Sequence, residues 1–345
     1  MKPRLWAGIV TLLFALAGVL LWQSLGADPH AARWQDYLAR LSRITDIPIP
    51  DSTPLPLRSY PSDRELKQSL PDHRINLLDY IELRHCDLMA LVSQRNSALG
   101  KLQAASLRLD YEQRFIQLAR QCLKSNTLEN PDLVRLLNQA IEDKQAALPR
   151  LRWNMLAAGP ELRHFLSLSP SAEAGDSQGA LSSLALLVTI LFDGQEAETA
   201  QTGSLDNHLE PLFRSQAGGV LLRRQALALE NLNRANRMLD AIDPTALCPR
   251  NRASSRARRL RNVLDNIWGP SVQHALAQAQ RQRDKLAASL ARLAAQPVAT
   301  DAFRDWQAHY FGPDGLETQL QQALKDHVSL WQSRLRPCGL APGQF

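Results

Sequence analysis

The chain has 345 residues, 45% of them hydrophobic and 21% charged, and its 40 basic against 34 acidic residues leave a net charge of +6. This composition excludes intrinsic disorder, because such a chain can bury enough apolar surface to fold, and the length allows one large domain or two. Of the basic residues 7 are lysine, and the arginines lie along the whole chain beside acids, a general preference rather than the mark of a single phosphate site.

Lys2 and Arg4 precede an uncharged run from Leu5 to Trp22, and the first acid is Asp28. A run of 18 residues exceeds a signal-peptide core and just suffices for a membrane-spanning helix. Trp6 and Trp22 stand near its ends, where interfacial aromatics belong. With the positive flank first, the N-terminus stays inside and the remainder crosses. The expectation is a single-pass contact with a bacterial inner membrane through residues 5–25, the rest facing the periplasm. Cleavage is the alternative, since Leu25-Gly26-Ala27 offers a small-residue site. Lipidation there is excluded, because Asp28 occupies the position that would need cysteine. The domain reading is residues 1–27 as anchor or signal, 28–62 as a short helix and Pro-rich spacer, and 63–345 as an all-helical periplasmic domain.

In chain order, residues 29–44 predict an amphipathic helix with Trp34, Tyr37, Leu38, Leu41 and Ile44 on one face. Prolines at 48, 50, 54, 56 and 61 then exclude helix and favour an extended spacer. From Ile75 apolar residues recur every three or four positions, and Ser106 offers an N-cap for a second helix through Leu123. The two read as an antiparallel hairpin turning near position 104. Asn130-Pro131 starts a helix expected to stop at Pro149, and Gly159-Pro160 ends a further short one. Leu181 to Phe192 is too short to span a bilayer and reads as a fully buried core helix. Ser204 caps a long helix to Asp240 that Gly218-Gly219 should kink. Helices at 253–268, 270–295, 299–311 and 314–335 complete an all-α, irregular up-and-down bundle of about nine to eleven helices.

Cys86 and Cys122 are equidistant from position 104, so the hairpin sets them side by side, and Cys248 is left for Cys338. Two disulfides imply export. A zinc site is disfavoured because no two cysteines stand in a close C-x-x-C spacing; free buried thiols are the alternative if the chain is not exported.

Glu82-Leu-Arg-His85 and Glu161-Leu-Arg-His164 are two E-x-x-H pairs. Residues three apart share a helix face, and di-iron bundles use two such pairs with two further glutamates. Such pairs arise easily by chance, a solvated charged face is the simpler explanation, and no partner is singled out among Glu112, Glu142 and Glu230. Arg250, Arg252, Arg256, Arg258, Arg259 and Arg261 place six cations in twelve residues. No stacking aromatics interleave with them, so nucleic acid is not expected; anionic lipid or an acidic partner is the functional reading and a solvated helix start the bland one. No nucleophile elbow, phosphate loop or dinucleotide fingerprint is present, and no cofactor is implied.

Asn76-Leu-Leu-Asp-Tyr-Ile-Glu-Leu-Arg-His-Cys-Asp-Leu, Gln94-Arg-Asn-Ser-Ala-Leu-Gly-Lys101 and Arg108-Leu-Asp-Tyr-Glu112, with the closing His327-Val-Ser-Leu-Trp-Gln332 and Cys338-Gly-Leu, resemble the uncharacterised bacterial domain-of-unknown-function family 3080. The resemblance covers the chain after about residue 50. It implies an envelope location and brings no activity, ligand or catalytic residue. The functional expectation is a non-enzymatic envelope interaction or scaffold protein, working through a protein or cell-wall partner. A helical ligand- or metal-binding domain or enzyme with a pocket between helices is the alternative.

Overall fold

A computed structural model of the chain describes residues 28–70, 83, 86–96, 104–125, 128, 130–170, 174–193 and 205–342. Every regular element among them is helical. None of the helices is long and apolar enough to cross a membrane, and the N-terminal segment expected to do so lies outside the described residues. The chain divides into two compact units, where one expected domain was drawn from residue 63 onward. The first comprises residues 1–55, 224–278 and 319–345, the second residues 56–223 and 279–318.

The first unit is built on the helix Pro29–Thr45. Asp28 caps it by accepting the His30 N–H at 3.0 Å, and proline at its first position needs no donor. The helix buries Trp34, Tyr37, Leu38 and Leu41, with Thr45 in the place expected for Ile44. It packs against Ser255–Val263 and against a π-helical stretch, Leu264–Gln273. The helix break anticipated at Gly269-Pro270 is therefore absent. The wider π turn accommodates the proline ring and its missing N–H, and carries Trp268 and Val272 inward.

In the second unit the helix Ala105–Lys124 lies against both Leu88–Asn96 and Pro131–Leu156. Their shared core is mainly aliphatic, with Leu91, Val92, Ile116, Leu137 and Ile141 around the Phe115 ring. Cys86 lies in a turn just before Leu88 rather than inside a helix, its N–H donating to the Leu83 carbonyl at 3.0 Å. Residues 97–103, where the sequence joins the two helices, lie outside the described ones. Ser106 is buried within the helix and the N-cap is Ala104, an extended residue with no side-chain cap. Asn130 caps the next helix as expected, accepting from Asp132 N and Leu133 N. That helix does not stop at Pro149. It runs on to Leu156 because burial of Leu151, Trp153 and Met155 offsets the cost of an interior proline, about 3 kcal/mol.

Ser177–Phe192 is a core helix on one face only, with Leu184, Leu187, Val188 and Leu191 buried and Leu186 exposed. The break before Ala217 falls at residues 214–216, ahead of the glycine pair. Gly218 and Gly219 serve close approach instead of a kink. A Cβ at Gly219 would overlap the Ser167 carbonyl, and one at Gly218 would stand 2.7 Å from the Phe165 ring.

The proline-rich stretch read as a spacer contains no helix up to residue 62, and it is hydrogen-bonded within each unit. In the first, the Pro50 carbonyl accepts from Arg234 Nε at 2.9 Å and Ser52 donates to Glu230. In the second, Tyr310 Oη donates to the Arg58 carbonyl at 2.7 Å, Trp306 Nε1 donates to the same oxygen, and Tyr60 Oη donates to the Ala157 carbonyl.

Candidate functional site

The cysteines come together as the sequence paired them. Cys86 and Cys122 have Cα atoms 5.7 Å apart, and Cys248 and Cys338 5.1 Å, both inside the disulfide range. The second pair fastens the C-terminal turn Arg336–Cys338 to the start of Pro249–Asn251. Arg334 adds hydrogen bonds to the Leu239 and Asp240 carbonyls and the Asp240 carboxylate.

Of the E-x-x-H residues, Glu82 and His85 lie outside the described residues. Glu161 and His164 share the short helix Pro160–Phe165. Burial raises the Glu161 carboxyl above its usual range, and His164 stacks on the exposed Phe213 at 5.5 Å. Among the described residues no three His, Cys, Asp or Glu side chains gather as metal ligands. Two glutamates considered as partners are engaged elsewhere. Glu112 forms a largely buried ion pair with Lys144, whose ammonium lies 4.6 Å from the Phe115 ring, and Glu230 accepts from Ser52.

The arginine cluster separates into two kinds. Arg256 donates through Nε to the Ile44 carbonyl at 2.7 Å and through a terminal nitrogen to the Thr45 carbonyl, with Asp46 at 3.2 Å. It thereby satisfies carbonyls left open at the end of the helix Pro29–Thr45. Arg261 pairs with Asp265 at 2.7 Å and donates to the Leu340 carbonyl. Arg258 donates to the Ala253 carbonyl, and Arg250, Arg252 and Arg259 are exposed and meet no carboxylate among the described residues. Arg250 and Asn251 hold left-handed φ angles of 57° and 54°, a conformation that costs a non-glycine residue about 1 kcal/mol or more. A pocket of about 200 Å³ opens beside Arg256, lined by Ile44, Ile47, Ile242, Ala246 and Leu247, with Asp243 also in the wall.

Deep in the same unit lies a polar cluster that no local pattern announced. Tyr37 Oη donates to His327 Nε2 at 2.8 Å, across 290 residues of sequence. Asn236 Nδ2 donates to the Ala323 carbonyl, so its Oδ1 accepts from His327 Nδ1 at 2.6 Å. The imidazole is thus neutral with its proton on Nδ1. Trp331 Nε1 shares its hydrogen between His327 Nε2 at 3.0 Å and Tyr37 Oη at 3.2 Å. The Trp268 ring lies 4.1 Å from His327 and 5.3 Å from Tyr37. Burial lowers His327 to about 3 and pushes the Tyr37 phenol well up. His327 has no exposed surface, so the cluster orients and joins helices and presents no base to a substrate.

A family model described as Protein of unknown function (DUF3080) matches residues 34–342. The chain belongs to that family. No curated protein and no solved structure matches it. The DUF3080 match begins at Trp34 inside the N-terminal helix and ends four residues beyond Cys338, so it takes in both cysteine pairs and the Tyr37–His327 cluster. The segment His327-Val-Ser-Leu-Trp331, part of the resemblance to this family, supplies that cluster's imidazole and indole from one helix face, four residues apart. This spacing was the one sequence signal that could have exposed it. Asn236 and Tyr37 stand too far off in sequence to show.

Proposed function

We propose that this DUF3080 protein is a bacterial envelope protein that works by binding a protein or cell-wall partner rather than by catalysis. In this reading its N-terminal apolar segment holds it to the inner membrane, or is cleaved after export, and its helical units face the periplasm. The observation that carries the reading is the pairing of all four cysteines at disulfide distance, because such bonds persist in oxidising compartments. The uncharged run from Leu5 to Trp22 supports the same compartment. Among the described residues, His327 is held in buried structural hydrogen bonds and Glu112 is paired with Lys144.

The test is protease treatment of intact cells opened only at the outer membrane. Digestion of the helical units while cytoplasmic proteins survive is expected, with a fragment left in the membrane fraction if the segment is uncleaved. Full protection until the inner membrane is lysed contradicts the reading.

A further inference from the structure

We propose that the arginine face of the first unit, Arg250, Arg252, Arg258 and Arg259, docks on anionic phospholipid headgroups of the bilayer that holds the N-terminal segment. The inference rests on the envelope reading above and adds a ligand to it.

Charge distribution supports it. Counted over the sequence, residues 28–55, 224–278 and 319–345 hold 15 basic and 9 acidic residues, a net of +6, whereas residues 56–223 and 279–318 hold 23 and 25, a net of −2. The positive charge of the folded part therefore belongs to the unit that begins where the apolar segment ends. Within that unit it peaks at residues 250–261, six arginines with no acid among them.

Helix stability does not account for the cluster. Cations in the first turn of Ser255–Val263 oppose the helix dipole, and Arg250 is presented from a left-handed backbone that disfavours it. Internal bonds hold Arg256 and Arg261, and Arg258, though exposed, gives one donor to the Ala253 carbonyl. The rest are aimed at solvent, and the planar guanidinium suits a phosphodiester, which it can grip through two parallel N–H donors.

Two further features fit a lipid surface better than a soluble anion. The pocket beside Arg256 combines the aliphatic side chains of Ile44, Ile47, Ile242 and Leu247 with the polar Thr45 and Asp243, and can take the glycerol and first methylenes beneath a bound headgroup. Arg256 also ties the cluster to the last turn of Pro29–Thr45. That helix of 17 residues spans about 25 Å, and the cluster sits at its end far from Asp28, so docking requires the helix to lie along the bilayer surface.

The full chain is reconstituted into nanodiscs of phosphatidylcholine or of phosphatidylglycerol, and phenylglyoxal modification of Arg259 and Arg252 is followed by peptide mass. Equal incorporation in both with modification slowed at least several-fold in phosphatidylglycerol, and restored by high salt, is the expected result. Equal rates in the two discs overturn the inference while leaving the anchor in place. If the chain does not enter phosphatidylcholine discs, the anchor reading fails, and flotation with phosphatidylglycerol vesicles decides the docking by itself. Binding there should fall by roughly several hundredfold in the fourfold variant with Arg250, Arg252, Arg258 and Arg259 each changed to Gln, at about fivefold per arginine; no binding by the parent chain overturns it. Protection by soluble polyglutamate but not by phosphatidylglycerol would assign the face to an acidic protein and overturn the lipid. The same variant with an unchanged melting temperature shows that the loss is not unfolding.

Discussion

The two units hold themselves together by different chemistry. The second packs a mainly aliphatic cluster between helices, with Leu91, Ile116, Leu137 and Ile141, and a separate set of rings, Tyr60, Trp153, Phe303 and Trp306, that contains no imidazole. It keeps its charges in local pairs, such as Arg283–Glu317 at 2.8 Å and Lys144–Glu112. The first puts a hydrogen-bonded imidazole, phenol and three indoles into its middle and leaves Arg250, Arg252 and Arg259 exposed with no carboxylate partner among the described residues. A core of aliphatic groups is indifferent to pH. A core around a buried neutral histidine is not, so conditions and substitutions should separate the two.

Removing the disulfides gives the largest effect. In the chain-entropy picture a crosslink over 36 residues or over 90 residues stabilises by about 4 kcal/mol. Replacing Cys248 and Cys338 with serine should therefore lower stability a little more than replacing Cys86 and Cys122, as denaturant midpoints would show. Trp331→Ala comes next, at about 3–5 kcal/mol, because it empties a buried site and takes a donor from His327 and Tyr37.

Acid should act on the first unit. The folded pKa of His327 is depressed from 6.5 to about 3, so the unfolded chain binds the extra proton between these values and stability rises with pH across that window. Acidifying from neutral pH to about 4 should therefore cost a few kcal/mol, whereas raising the pH above neutral should cost nothing through this group. A thermal-melt series in His327→Gln should be flatter over the same range. Equal slopes in parent and variant would remove His327 as the cause. In the second unit, Gly219→Ala should cost about 1–3 kcal/mol, since its Cβ meets the Ser167 backbone and not a movable side chain. The smallest effect belongs to Arg259→Gln, within about 0.5 kcal/mol of the parent in melting experiments, because the residue is exposed and pairs with no carboxylate among the described residues.

Much of the architecture was legible because local signals govern it. Asn130-Pro131 marks a helix start whatever surrounds it, and the proline density at 48–61 excludes helix. The cysteine pairs followed from hairpin symmetry. The errors lie where tertiary packing overrode a local breaker. Pro149 and Pro270 both sit inside continuous helical segments, carried by buried Trp153 on one side and by a π turn bearing Trp268 on the other. Gly218 and Gly219 were read for flexibility, yet they are there for proximity to Phe165 and Ser167. The Tyr37–Asn236–His327 contacts could not be read, since each joins residues scores of positions apart. The arginine cluster was visible as a run, but only the carbonyls of Ile44, Thr45 and Leu340 distinguish its structural members from its free ones.

The most direct measurement is non-reducing peptide mapping of the protein recovered from its native membrane fraction. The account predicts two linked peptides, one joining Cys86 to Cys122 and one joining Cys248 to Cys338. Four free thiols would contradict export and, with it, the envelope reading and the lipid-facing role of the arginines.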